Sequence, residues 1–538
     1  MPTSHEVASL LSELQATELE SLLGARPVGL GKQQNLHDLA DTLCTKDSIE
    51  QCLKGLSRTT LASLISGKAD AFAMKLLLAD KTGKPFPEVL AALPVLKPFT
   101  VPVAPAALDE ANSVMLHTVV AARDLVAHAL SDTIPMGANG SLLRAEERNL
   151  AGRLVLNEKQ AAVLVESALA AGLVRTSERR LFATELGLDL RDDFVELWNR
   201  LAGAAREMFG DSLWAECRAA GRFDSEFLVW ALPAATERET NRIHIIVDRL
   251  TALGMLAGGT TPLGLAFLNE SEQTVKSLLT GSLPKLGAQV FVLDDLSVIG
   301  AGPLDSTTEA KLDLVGAVET RGLAPKRRIE TSLILRSLVA GKTADEICDV
   351  LKELSKTPLS TAVQSTILDV ANNSRFVVLG GTSTDTAAKA SHPELGAMLL
   401  TDPRVQRLAP VQVDDLTVLY GASRERVEAT LLDCGYTVVT KTDEPVTVAS
   451  KPNRPFTELA ERLAEKGLGE THLERSLVTA GKSKTPVTLV VDTGSGHKII
   501  TLEPRQVANG RVRGLDTKAD VERTLPISAI IELRAVGE

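Results

Sequence analysis

The sequence predicts a multidomain α+β protein, helical in its first half, built of small α/β units at its centre and strand-rich at its end. Three observations carry this. Apolar residues recur at spacings of three and four through most of the first 285 positions, as on amphipathic helices. Near 286 the pattern changes to short β-branched and aromatic runs broken by polar pairs, as in LGAQVFVLDDLSVIGAG. From 484 onward, apolar runs are separated by glycine-containing turn pairs. At 538 residues the chain has room for about three to five domains.

The N-terminal domain, 1–100, is expected to be helical. VASLLSELQATELESLLGARP stops at Gly24 and Pro27. NLHDLADTLCTKDSIEQCLKGLSRTTLASLISG then gives three short helical pieces, with Thr45 or Lys46-Asp47-Ser48 between the first two and Ser57 as cap of the third. This suits a helix-turn-helix core or any small helical bundle. Prolines from Phe86 to Ala107 mark a connector.

In 101–190 the helix SVMLHTVVAARDLVAHAL and the glycine-rich turn Met136–Ser141 precede the clearest local pattern. It runs helix, turn, helix, then two short strands about a polar turn, between Leu142 and Glu185. Asn157 is a plausible cap for the second of these helices, and Gly172 ends it. This is the element order of a winged helix, whose second helix enters the major groove and whose hairpin forms the wing. The wing would carry Arg175, Arg179 and Arg180, residues suited to phosphate contact. The helix offers Lys159 and Gln160 near its N-terminus, but is otherwise mostly Ala, Val and Leu. Two readings stand: backbone contact with duplex DNA, or a unit that packs against protein.

Residues 191–285 read as a helical domain, in which His244 stands in an isoleucine run as a packed residue rather than a ligand. An α/β domain is expected over 286–381, a second small α/β unit over 382–450, a helical connector over 451–483 and a small barrel-like β module over 484–538. FVLDDLSVI and PVQVDDLTVL form a weak internal repeat whose paired aspartates mark a tight turn between strands. The end module places Arg505, Arg511 and Arg513 along its strands, as second candidates for nucleic-acid contact or as a solvated face.

Two decoys require rejection. Gly341-Lys342-Thr343 ends like an ATP-binding phosphate loop, but Arg336 stands where the loop needs its first glycine. Thr343 to Glu346 instead reads as a capping box after a glycine helix stop. Gly481-Lys482-Ser483 fails in the same way, with Ser476 at the glycine position. No nucleotide-driven motor is expected, and no nucleophile–base or metal constellation supports an enzyme.

Composition narrows the class further. Hydrophobic content of 44% and charged content of 24% suit a soluble globular protein. Aromatics at 3% argue against stacking platforms for single strands. The formal charge of −11 gives no bulk attraction to nucleic acid, although a local basic face remains open. The five cysteines show no C-x-x-C and no histidine at metal-site spacing, which points to buried thiols in a reducing cytoplasm without metal or other cofactor. The opening residues lack a secretion-signal pattern, and no apolar run reaches membrane-spanning length. A cytoplasmic location is expected, with nucleoid association if the chain binds DNA.

FVLDDLSVIGAGPLDS, with its Gly302-Pro303-Leu304-Asp305 exit, leads into RIETSLILRSLVAGKTADEICDVLKELSKTPLS, which ends in the Ser355–Leu359 segment SKTPL. These stretches resemble the helicase-associated, conserved C-terminal-like region of XPB-type actinobacterial proteins, most specifically over 286–440. The N-terminal helices and the winged-helix-like unit also resemble parts of those proteins. The end module is similar to the tail of WYL domains, although the Trp-Tyr-Leu triplet is absent. The resemblance implies a DNA-associated protein that carries the non-motor part of such a helicase, with duplex DNA or a helicase or transcription complex as partner.

Overall fold

Seven helices open the chain: α1 (Thr3–Ser12), α2 (Ala16–Ala25), α3 (Leu36–Leu43), α4 (Lys46–Lys54), α5 (Arg58–Ile65), α6 (Ala71–Lys75) and α7 (Pro87–Ala92). The computed structural model describes all residues except 1–2, 27–32, 97–99, 109, 133, 139, 374, 382–385, 440–446, 450–455, 468–471, 483, 494–495 and 536–538. Asn35, Thr45, Ser57 and Asp70 each accept a hydrogen bond from the N–H three residues on, which fixes where α3 to α6 begin. The expected connector itself opens with helix, because Pro87 sits at the first turn, where its missing N–H costs nothing.

One buried cation organises this bundle. Arg26 is 2% exposed. Its Nη2 donates to the Leu43 carbonyl at 2.6 Å and to Ser48 Oγ at 3.1 Å, and Nη1 donates to the Leu76 carbonyl at 3.1 Å. Leu43 ends α3 and Leu76 follows α6, so the guanidinium satisfies carbonyls at two helix C-termini. Burial pulls its pKa down.

The next elements are α8 (Ala111–Ser131), β1 (Ile134–Pro135), α9 (Arg144–Leu154), α10 (Glu158–Ala170), β2 (Val174–Ser177) and β3 (Arg180–Ala183). The three strands pair antiparallel in the order β1-β3-β2. Helices α11 (Glu185–Leu190), α12 (Phe194–Arg206), α13 (Asp211–Ala220), α14 (Ser225–Ala231) and α15 (Glu237–Ala252) follow, then the strand pair β4 (Leu256–Ala257) and β5 (Gly259–Thr260), α16 (Pro262–Leu268) and α17 (Glu272–Ser282). One continuous core runs from Met115 to Leu279, so the helix–hairpin unit and the helices after it bury their apolar faces together. Trp198 is fully enclosed there, and its indole N–H donates to the Leu253 carbonyl at 2.9 Å. His244, expected to be packed, is exposed: Ile243 and Ile246 take the inward positions of α15 and rotate it outward.

The change of pattern near 286 is real. Strands β6 (Val290–Val292) and β7 (Ser297–Gly300), α18 (Ser306–Leu312), β8 (Gly316–Thr320) and β9 (Lys326–Ile329) give a sheet of order β6-β7-β9-β8. Its apolar face is covered by α19 (Thr331–Val339), α20 (Ala344–Leu354) and α21 (Thr361–Asn373). A second sheet uses β10 (Phe376–Gly381), β11 (Thr386–Ala390), β12 (Val411–Gln412), β13 (Thr417–Tyr420) and β14 (Thr437–Val439), in the order β12-β13-β11-β10-β14, with α22 (Pro393–Thr401) and α23 (Arg424–Asp433) contributing to its core. FVVLGG thus belongs to this second sheet, since β10 pairs with β11 and β14.

Both Asp-Asp pairs lie in tight turns joining antiparallel strands. In the first, Asp295 accepts from Ser297 N–H at 3.0 Å, and in the second Asp414 accepts from Leu416 and Thr417 N–H at 2.8 and 2.7 Å. The Asp295 and Asp414 carboxylates are occupied in closing turns. Thr382–Thr384 lie outside the described residues.

The phosphate-loop decoy also resolves. Gly341 has φ +95°, and Lys342 N–H bonds back to the Ser337 carbonyl at 3.1 Å, closing α19. Thr343 Oγ1 accepts from Glu346 N–H at 3.1 Å while Glu346 accepts from Thr343 N–H at 2.9 Å, opening α20.

The chain ends with α24 (Thr457–Lys466), α25 (His472–Lys482), β15 (Val487–Asp492), β16 (His497–Ala508), β17 (Arg511–Asp516), β18 (Val521–Pro526) and β19 (Ile530–Ala535). The five strands form one antiparallel sheet, β18-β17-β16-β15-β19, with α25 packed on β16. Gly481 and Lys482 form the last turn of α25. Helix α24 returns to the start of the chain. Leu459, Ala460 and Leu463 join the N-terminal core, Thr457 donates to Glu20 at 2.6 Å, and Leu36 N–H bonds the Gly467 carbonyl at 2.9 Å. The whole is a multidomain α+β protein, as its sequence predicts.

Candidate nucleic-acid interface

The helix–hairpin unit of α9, α10, β2 and β3 is built from local signals. Asn157 and Gln160 form a reciprocal capping box: Gln160 N–H donates to Asn157 at 2.8 Å, and Asn157 N–H donates to Gln160 at 3.0 Å. This starts α10 and orients Gln160 back along the helix. At the far end, Thr184 is fully buried, donates to the Gly172 carbonyl at 2.7 Å and accepts from Gly187 N–H at 3.0 Å. A Cβ at Gly187 would stand 2.1 Å from the Leu173 carbonyl oxygen, so only glycine lets α11 press against the chain entering the wing.

The expected wing is a two-residue hairpin between β2 and β3. Ser177 pairs with Arg180, and Glu178 and Arg179 both take left-handed backbone angles, φ +48° and +58°. Two successive left-handed residues are the type I′ geometry that matches strand twist. Strand β1 extends the wing to three strands, and Met136 N–H bonds the Arg179 carbonyl at 2.7 Å.

The candidate residues now separate. Arg179 and Arg180 are exposed at the tip, and among the described ion pairs neither has a carboxylate partner. Arg175 is half-buried, and its Nη1 points to the Ala449 carbonyl at 3.4 Å, where Val448 bridges Thr184. Lys159 is exposed but paired across to Asp248 of α15 at 2.8 Å. Gln160 serves the cap. The body of α10 is enclosed by α8, α12 and α15, with Ala161, Leu164, Val165 and Ala168 in the core. Arg505, Arg511 and Arg513 lie on a different sheet. All three are exposed, but Arg505 and Arg513 converge on Glu522 at 3.6 and 2.7 Å. That leaves Arg511 as the arginine of the three without an ion pair among the described residues.

Sequence reasoning missed a buried ionic cluster behind this unit. Arg123 of α8 is 1% exposed and places Nη1 3.0 Å from Asp124 and 2.9 Å from Glu309 of α18. Arg191 also bonds Glu309, Arg321 lies 3.7 Å from it, and Asp124 accepts from Gly322 N–H at 2.7 Å. Asp192 completes the set, 3.4 Å from Arg123. Burial works against ionised Glu309, yet Arg123, Arg321 and Arg191 outweigh it and hold its carboxyl below the usual glutamate range. The available signal was ARD inside VVAARDLVAHAL, adjacent opposite charges within an otherwise apolar helix.

These contacts join α8 and the residues after α11 to a recognisable region. A family model described as helicase conserved C-terminal domain matches residues 290–414, about a quarter of the chain. The match opens at the first Asp-Asp hairpin and closes within the second. No match is found among curated proteins. Residues 290–414 are thus similar to a helicase conserved C-terminal domain. Among the described residues, no helix is long and apolar enough to cross a membrane, and no group of histidine, cysteine and carboxylate side chains gathers as for a metal ion.

Proposed function

We propose that this chain is a non-enzymatic, DNA-binding accessory or regulatory protein of a helicase-associated system, touching duplex backbone through its wing. The observation that supports this is the pair Arg179 and Arg180, exposed on a rigid type I′ hairpin and free of carboxylate partners among the described residues. Guanidinium groups in that setting hold phosphates, and each contact releases counterions. Because α10 is largely enclosed, base reading contributes little and sequence preference is weak. Duplex DNA in a cytoplasmic, nucleoid-associated setting is the partner this reading gives. The XPB-type actinobacterial likeness of the matched region is consistent with it.

The enclosure of α10 and the use of Arg175 and Lys159 within the chain favour a second reading, a scaffold for a helicase, transcription or repair complex without direct DNA contact. Replacing Arg175, Arg179 and Arg180 together by alanine, with the fold checked by circular dichroism, separates the two. The DNA reading expects weaker duplex binding and a shallower salt dependence. Unchanged affinity and slope would leave the scaffold.

A further inference from the structure

Between α8, α10, α12 and α15 lies a cavity of about 160 Å³. Val114, Val163, Leu164 and Leu201 supply apolar wall, and the Lys159–Asp248 pair belongs to the lining. Arg249 lines it as well. It is 8% exposed, its Nε has no hydrogen-bond partner, and the closest carboxylate, that of half-exposed Glu166, is 4.0 Å from Nη2.

Arg26 and Arg123 also leave Nε unpaired, but in the other buried arginines the terminal nitrogens are closely held. Arg222 is held by Asp224 at 2.6 Å, Arg123 by Glu309 at 2.9 Å, and Arg26 by the Leu43 carbonyl at 2.6 Å. Arg321 faces Glu309 and Arg327 donates to the Gly316 carbonyl at 3.1 Å. A guanidinium removed from water without a close partner is costly, and burial already pulls the pKa of Arg249 down, against a weaker opposing pull from Glu166. A single negative charge delivered into the cavity would relieve that cost.

We propose that this cavity binds a small monocarboxylate with an apolar body, its carboxylate on Arg249 and its body against the aliphatic wall. One under-compensated guanidinium matches one charge, and the aliphatic wall disfavours a multiply charged phosphate. The size suits a single ring, since a cavity of about 150 Å³ lined by aliphatic side chains accommodates benzene. The site is independent of DNA contact, and its test contains no DNA.

The full chain is titrated with benzoate by calorimetry and by thermal unfolding, beside benzamide as the uncharged isostere. Saturable benzoate binding with a raised Tm is expected, with no comparable effect of benzamide. Arg249→Met should weaken benzoate by roughly ten-fold or more, and Val163→Phe should abolish binding by filling the space. No saturable benzoate binding at millimolar concentration, equal effects of the two probes, or undiminished binding by folded Arg249→Met would each overturn the proposal. If neither variant folds, the benzoate–benzamide comparison on the native chain decides it.

Discussion

Arg123 on α8 and Glu309 on α18 stand 186 positions apart in sequence, yet Nη1 and Oε1 meet at 2.9 Å where solvent barely reaches. Three guanidiniums, of Arg123, Arg191 and Arg321, are balanced there by Asp124, Asp192 and Glu309. Glu309 touches all three cations, so it is the residue whose loss strands the most charge. Glu309→Ala should lower the unfolding free energy by about 3–5 kcal/mol, measured by urea denaturation.

The same residue sets an acid response. Its folded pKa lies below the ordinary glutamate value near 4.3, so its contribution is present above that value and is lost as pH falls through the folded one. Asp124 acts in the opposite sense, because burial raises its pKa despite Arg321 and Arg123. Comparing Tm from pH 7 downward should show a smaller acid loss in Glu309→Gln than in the native chain. Parallel curves would mean that Glu309 does not carry the effect.

Removing Arg26 leaves the Leu43 and Leu76 carbonyls buried without their donor. Arg26→Ala should cost about 2–6 kcal/mol, from roughly 1–3 for each of the two unsatisfied carbonyls. Arg26→Lys should recover only part, because an ammonium lacks the planar fork that reaches both helix ends.

At the decoy loop the hydroxyl matters and the amine does not. Thr343→Ala should cost about 1 kcal/mol through the lost cap. Lys342→Ala should leave stability nearly unchanged, and purified protein should show no ATP hydrolysis for either change to affect. Hydrolysis that disappears with Lys342→Ala would refute the helix–turn–helix account of this segment.

Leu463 of α24 is fully buried in the N-terminal core. Leu463→Ala should destabilise that bundle by about 2–5 kcal/mol. Hydrogen exchange should locate the loss in α2 as well as α24. Protection of α2 that stays at the native level would show that the two helices do not share a core.

Local chemistry explains what could be read in advance. Asn157, Thr343 and Ser57 act within three residues of themselves, so the starts of α10, α20 and α5 are written where they occur. Glycine-containing turn pairs similarly announced the strand-rich end of the chain, which is a five-stranded sheet of order β18-β17-β16-β15-β19. Pairing at a distance left weaker marks. Nothing around Leu459 or Leu463 says that their apolar stripe faces α2 rather than α25. Arg249 did leave a trace, a charge three residues after Ile246 and beside Leu250 on the inward stripe of α15. The two short strands after α10 were legible because Gly172 and the polar turn are local signals. The capture of Arg175 by Ala449 was not, because it depends on a segment 274 residues away.

The return of α24 to α2 has a consequence during synthesis. Glu20 and Thr457 are 437 positions apart, a stretch that a ribosome making 5–20 residues per second covers in about 20 to 90 seconds. For that interval the α2 surface bearing Leu19, Leu22 and Leu23 lacks its native cover, while the intervening units can already collapse around their own cores. The N-terminal bundle is therefore completed only after the units between α2 and α24 have emerged. Its nascent face stays uncovered until α24 arrives, and a stop codon placed before α24 would leave the N-terminal core without Leu459, Ala460 and Leu463.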